Sequence, residues 1–278
     1  MSVIWLNDGL VQASDASISP FDHAVTVGDG IFETLQIATD AQTGAPAAFA
    51  MGRHLRRLHR SADLLGLAPP DDALLRTAAA AVVAANPDTN RLRITMSAGL
   101  GPLGSGRYES APTIIVAATA GAPHPPVADV ALVPWTRNER GATAGAKTTS
   151  YAENVIALAA AKKAGAQEAL LANTRGELCE GTGSNVFVVV DGRVVTPPLD
   201  SGCLAGITRE LILELIDVDE APLPYDILQL TTEAFLTSSL RNVQPIATID
   251  GRPLSPPGEL TRAAMAAFEE LLVTTIEP

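Results

Sequence analysis

Between residues 120 and 127 the chain reads Ala-Gly-Ala-Pro-His-Pro-Pro-Val. Three prolines in so short a span remove backbone donors and fix φ, so neither a helix nor a central strand can run through it. The stretch has no hydrophobic periodicity and separates two segments that each have it. This predicts an N-terminal α+β domain over 1–119, a linker over 120–127 and a C-terminal domain over 128–278. With 278 residues, 47% of them hydrophobic, the chain can bury a large core, as one big domain or two intimate ones.

The first segment opens with two alternating runs joined at Asn7-Asp8-Gly9, a hairpin signal, and continues with the strand pattern GIFETLQIA. Helical spacing follows over Arg53 to Leu67, and again from Asp71-Asp72 to Ala85, where Asn86-Pro87 ends it. RLRITMSAG and TIIVAATA read as strands around the loop GLGPLGSGRYES. In the second segment VALVPW, EALLAN, SNVFVVV and RVVTPP read as strands. Helices are expected over Tyr151 to Ala164, Thr208 to about Asp217, and Glu259 to Thr274.

Net charge is −12, and no cluster of Lys/Arg interleaved with aromatics appears, so a nucleic-acid surface is not expected. The densest basic run is GRHLRRLHR. Arg53, Arg56, Arg57 and Arg60 cannot all point one way on a helix, so one can turn inward to an anion. The start, MSVIWLNDG, lacks the features of a signal peptide, and the Ala-rich helices are too short or too charged to span a membrane. Cys179 and Cys203 make neither a disulfide framework nor a metal cluster, and a reduced, cytoplasmic setting is expected. His23, His54, His59 and His124 have no metal-ligand spacing, and each is expected to be structural.

Three features point to chemistry. Lys147, in AKTTSYAEN, is the only basic residue between Arg140 and Lys162, a low-charge setting in which an amine can be neutral and nucleophilic. Glu180 follows among small residues in ELCEGTGSNVF, and Gly206-Ile207-Thr208 opens a helix. Singly, these read equally as a surface lysine, a solvated turn residue and an ordinary N-cap. Together they suit an aldehyde cofactor that has a pyridine nitrogen at one end and a phosphate at the other.

In wording and order the stretch from Lys147 to Arg209 resembles the fold type IV pyridoxal-phosphate (PLP) enzymes, the class IV aminotransferase superfamily. VGDGIFETL, HLRRLHRSADLLGL and EAFLTSSLRNVQPI extend the resemblance over nearly the whole chain. It implies a two-domain α/β fold, with a smaller N-terminal sandwich and a larger C-terminal pseudo-barrel holding the cofactor. It also implies a small-molecule substrate and a homodimer.

Residue by residue, the resemblance makes Lys147 the lysine that bonds to PLP and then moves substrate protons. Glu180 becomes the partner of the pyridine nitrogen. Arg57, the backbone N–H groups of Ile207 and Thr208 at the Gly206 turn, the Thr208 hydroxyl and Ser239 would hold the phosphate. Leu204 would pack on the ring, and Tyr151 would bond the ring hydroxyl. Asn185 would join the carboxylate-side network. Arg107 and Arg241 are expected to meet substrate carboxylates, and Thr34 to assist proton transfer.

The reaction expected from GDGIFETL, KTTSYAENV and SLRNVQPI is that of an aminodeoxychorismate lyase, releasing pyruvate and p-aminobenzoate for folate biosynthesis. The alternative is a class IV aminotransferase acting on D-amino or branched-chain amino acids with a 2-oxo acid acceptor. Two absences weigh toward the lyase. Phe32-Glu33-Thr34-Leu35-Gln36 stands where branched-chain enzymes carry Phe-Glu-Gly-(Ile/Thr)-Arg, and no histidine lies two residues after Arg107.

Overall fold

A computed structural model describes residues 2–255 and 257–278, which form two compact units. The first comprises residues up to 122, together with 146–151 and 272–278. The second comprises 123–145 and 152–271.

The first unit is an antiparallel sheet with helices on one face. Its strands are β1 (Val3–Leu6), β2 (Gly9–Gln12), β3 (Gly30–Thr39), β4 (Pro46–Ala48), β5 (Arg91–Ser97) and β6 (Ile114–Thr119), in the spatial order β2-β1-β6-β5-β3-β4. Asn7 takes φ 52° in the β1–β2 turn, a left-handed conformation that asparagine tolerates well. A short helix α1 (His23–Thr26) precedes β3, and α2 (Met51–Leu65) and α3 (Asp72–Ala85) cover the sheet. Asp71 caps α3 through Leu74 N, 3.0 Å away.

Alternation along β3 decides what faces what. Ile31, Leu35 and Ile37 point into a core with Leu55, Leu58, Leu75, Val82, Leu92 and Ile94. Glu33 shares that face, while Phe32, Thr34 and Gln36 lie on the other.

The segment 146–151 belongs with this unit, although the sequence placed it in the C-terminal domain. Backbone pairing is the reason. Phe32 N donates to Lys147 O (3.0 Å), Thr149 N donates to Gly30 O (2.8 Å), and Thr148 bridges Ile31. Residues 276–278 return to α2. Ala50, the α2 N-cap at φ 55°, offers no side-chain cap. Glu277 Oε2 accepts from Gly52 N (2.9 Å), and Ile276 O accepts from Ala50 N (2.8 Å). Pro278 O accepts from Arg53 Nε (2.9 Å).

The second unit is built on a nine-stranded mixed sheet. Its strands are β7 (Ala128–Arg137), β8 (Glu168–Asn173), β9 (Leu178–Gly181), β10 (Asn185–Val190), β11 (Arg193–Thr196), β12 (Val218–Glu220), β13 (Ala234–Ser238), β14 (Asn242–Ile249) and β15 (Arg252–Pro253). The order is β12-β11-β10-β13-β14-β7-β8-β9, with β15 on β14. α4 (Ala152–Lys163) crosses between the parallel pair β7 and β8, and α5 (Ile207–Leu215), α6 (Ile227–Leu230) and α7 (Glu259–Thr274) complete the elements. Asp191 and Gly192, both at positive φ, make the tight β10–β11 turn. Among the described residues no helix is long and apolar enough to cross a membrane, and no group of His, Cys, Asp and Glu could hold a metal ion.

Candidate functional site

The chain has three lysines, and Lys162 and Lys163 are exposed at the end of α4. Lys147 is half-buried and fixed through its backbone, its N–H donating to Ser61 Oγ (3.0 Å) and its carbonyl accepting from Phe32 N. Its amine lies 4.3 Å from the centroid of the Phe32 ring and 5.9 Å from that of Tyr151. The two rings meet edge to face at 5.4 Å. Lys147 and Tyr151, paired on paper by sequence spacing, therefore do converge around one amine.

Arg57 is the inward-turning arginine of the basic run, 3% exposed on α2. Its anion within the unit is Glu33, gripped side-on by Nε to Oε1 (2.8 Å) and Nη2 to Oε2 (2.5 Å). Because that grip takes one edge, Nη1 lies at the opposite corner of the planar fork. His54 Nδ1 is 2.6 Å from Glu33 Oε2. Burial alone would raise the Glu33 pKa, but Arg57 and His54 outweigh it and hold the carboxyl down at about 2. Burial also lowers the His54 pKa more than Glu33 raises it. His54 is structural, as expected, but its partnership with Glu33 was not foreseen.

On the opposite face of β3, Arg93 stacks on Phe32 with its guanidinium carbon 3.7 Å from the ring centroid. Thr34 pairs across the strands with Arg93, so it lies on this same face. Arg93 thus shares a ring with the Lys147 amine. Sequence reading missed it. Its signal was the alternation Arg91, Arg93, Thr95 against the buried Leu92, Ile94 and Met96.

In the second unit Glu180 is buried at the end of β9. Its Oε2 accepts from Leu204 N (2.9 Å), and its Oε1 lies 2.9 Å from Arg137 Nε. That second contact is an ion pair rather than an aligned hydrogen bond, since the Arg137 Nε–H finds no acceptor along its own direction. Arg137 Nη1 also donates to Asn154 Oδ1 (3.0 Å). Asn185 Nδ2 donates to Leu204 O (2.8 Å), tying the Glu180 partner to the start of β10. Gly206 is the α5 N-cap and supplies no side-chain cap, so the first N–H groups, at Ile207 and Thr208, lack an intrahelical partner. Any Cβ on Gly206 would collide with Asn185 Oδ1 at 2.0 Å. Ser239 lies just past β13, half-buried.

This donor set fits PLP. An oriented carboxylate suits a protonated pyridine nitrogen, and a bare helix start beside small residues suits a phosphate dianion.

The two arginines expected to meet substrate are engaged otherwise. Arg107 closes its fork on Asp29, Nε to Oδ2 and Nη2 to Oδ1 at 2.7 Å each, and donates to Gly66 O (3.0 Å). Asp29 is also bonded by His23 Nδ1 (2.9 Å), so Arg107 holds its own loop in place. Arg241 donates to Gln244 Oε1 (2.5 Å) and reaches Gln167 O (3.3 Å) and Glu168 Oε2 (3.4 Å). Both serve the framework because buried or half-buried carboxylates and carbonyls claim their donors first.

The profile of the amino-transferase class IV family matches residues 30–249. A Methanocaldococcus jannaschii protein, provisionally named a branched-chain-amino-acid aminotransferase, is 32% identical over 287 aligned positions, covering 96% of each chain. The Escherichia coli branched-chain amino acid aminotransferase structure superposes with a TM-score of 0.91 at 26% identity, over 98% of this chain and 96% of that one. The branched-chain aminotransferase of the archaeon Thermoproteus uzoniensis, solved with norvaline, gives 0.89 at 26% identity, over 98% and 95%.

These relatives overturn the expectation of an aminodeoxychorismate lyase and its place in folate biosynthesis. The FETL stretch misled because its glutamate faces inward and pairs with Arg57 and His54, so it carries no information on the choice of reaction. The α/β fold of type IV stands. So does the dependence on PLP, and similar solved branched-chain enzymes hold pyridoxamine 5'-phosphate or a phosphopyridoxyl adduct of glutamate. The chain belongs to the class IV aminotransferase family.

Proposed function

We propose that the protein is an aminotransferase that takes its amino group from branched-chain amino acids and passes it to a 2-oxo acid. The observation that carries this is the 32% identity along 96% of both chains with a relative bearing that name. When bound, PLP supplies the electron sink that lets an amino acid lose its Cα proton.

Lys147 is the covalent anchor of the cofactor and the base that carries the proton from substrate Cα. Phe32 and Tyr151 place two aromatic rings against its amine and fix where it stands. Glu180, oriented by Leu204 N and Arg137, keeps a proton at the pyridine nitrogen. Arg57, Ile207, Thr208 and Ser239 would hold the phosphate, and Gly206 leaves room for Asn185 beside the helix start. Leu204 packs on the ring, and Tyr151 bonds its hydroxyl. Arg93 takes over from Arg107 and Arg241 as the cation that meets a substrate carboxylate, with Thr34 beside it. The apolar Phe32 face suits an uncharged aliphatic side chain.

The test is a half-reaction. Leucine added to the yellow enzyme should remove its visible band once, stoichiometrically, and 2-oxoglutarate should restore it. An enzyme bleached by D-alanine and indifferent to leucine, isoleucine and valine would require a different donor class.

A further inference from the structure

α2 presents a polar stripe, His54, Arg57 and Ser61, in the middle of an apolar face formed by Leu55, Leu58 and Ala62. Spacings of three and four residues put the three on one side of the helix. His54 and Arg57 are both accounted for by Glu33. Ser61 is 1% exposed and has a different partner, accepting from the Lys147 amide at 3.0 Å across 86 residues of sequence. A serine inside a helix commonly turns its hydroxyl back to the carbonyl one turn earlier, and it favours helix less than the alanine that would fill the same space. Here the oxygen is aimed outward at one particular residue.

That residue ends a loop. Between Arg137 and Lys147 the chain makes turns at Gly141 and Ala144 and passes Gly145 at φ 79° before joining β3. Two bonds stop the loop at Lys147, Phe32 N from the strand side and Ser61 Oγ from the helix side. The strand bond sets direction along β3. The Ser61 bond adds a second tie, to α2, so the root of the side chain is held from two elements.

We propose that Ser61 is a positioning residue for Lys147, setting where its amine sits over Phe32 and hence its alignment with the substrate carbon. The proposal rests on Lys147 being the cofactor lysine. Misplacement by a fraction of an ångström degrades proton transfer long before it alters binding, because reacting atoms must be held near contact.

The experiment uses the PLP-loaded enzyme with Ser61→Ala and Ser61→Thr. Ser61→Ala should lower kcat about tenfold or more, the scale for a misaligned catalytic group, with KM for the amino donor and Tm close to wild type. Independently of turnover, the pH midpoint of the visible band should shift, since it reports the surroundings of the Lys147 nitrogen. Ser61→Thr, which keeps the oxygen, should restore both. If Ser61→Ala does not fold, Ser61→Cys carries the same expectation, having similar volume but a weak acceptor.

An unchanged kcat and pH midpoint in the alanine variant would overturn the proposal. So would losses that merely track a fall in Tm or cofactor content. Failure of the underlying reading looks different: borohydride would then fix the cofactor of the wild-type enzyme to Lys162 or Lys163.

Discussion

Glu33 is a carboxylate with no accessible surface, and it is ionised only because an arginine and an imidazole meet it inside the unit. Removing the charge from such a pair leaves Arg57 buried and uncompensated. Glu33→Gln should therefore destabilise the protein by roughly 3–5 kcal/mol in denaturant unfolding. The same pair sets an acid limit. The unfolded carboxyl titrates near 4.5 and the folded one near 2, so the unfolded state binds the extra proton in that window. Stability contributed by Glu33 is present above pH 4.5 and is lost as pH falls toward 2. Chemical denaturation followed between those values should show a shallower decline for Glu33→Gln than for the wild type. Glu180 has a different weight. Glu180→Gln keeps its size and its bond from Leu204 N but loses the charge, and kcat should fall at least ~10²-fold while the fold persists. Lys147 and Glu180 could be singled out in sequence because each sits in distinctive local wording. The Glu33–His54 pair could not, since it exists only once β3 and α2 are packed together, and for Arg93 strand alternation marked a face but not the Phe32 ring it stacks on.

At the scale of elements, hydrophobic period gave most helices and strands to within a few residues. The C-terminal helix over Glu259 to Thr274 and the strand at Gly30 are found as read. What escaped were short pieces whose pairing comes from elsewhere, such as β4, β9 and β12, with three or four residues each. β13 and β14 also escaped, because their turn depends on Asn242 at φ 57° and not on a glycine. The start of α2 is a further case. Nothing near Ala50 announces a cap, since the capping carboxylate is Glu277. Glu277 also pairs with Arg76 at 3.2 Å. Glu277→Ala should lower stability by about 0.5–2 kcal/mol, as for loss of a helix cap. Apparent PLP affinity should fall as well, because the helix so frayed carries Arg57. Thermal melts with and without cofactor would measure both.

For the whole molecule, the proline-rich stretch at 120–127 marks a change of unit, but it is not the only crossing. The first unit draws on three separate parts of the chain. A fragment of residues 1–122 lacks the Lys147 segment and leaves Gly30 to Phe32 as an unpaired strand edge. Such edges recruit other chains, so this fragment should associate or precipitate where the full chain does not, as light scattering would show.

The clasp of residues 276–278 on α2 also orders events during synthesis. Chains emerge from the ribosome N-terminus first, and domains tend to fold as they appear. The helix that carries Arg57 and Ser61 is made early, yet its first turn is completed by residues polymerised 225 positions later. Until those residues have left the ribosome, then, a helix translated long before them is still unfinished.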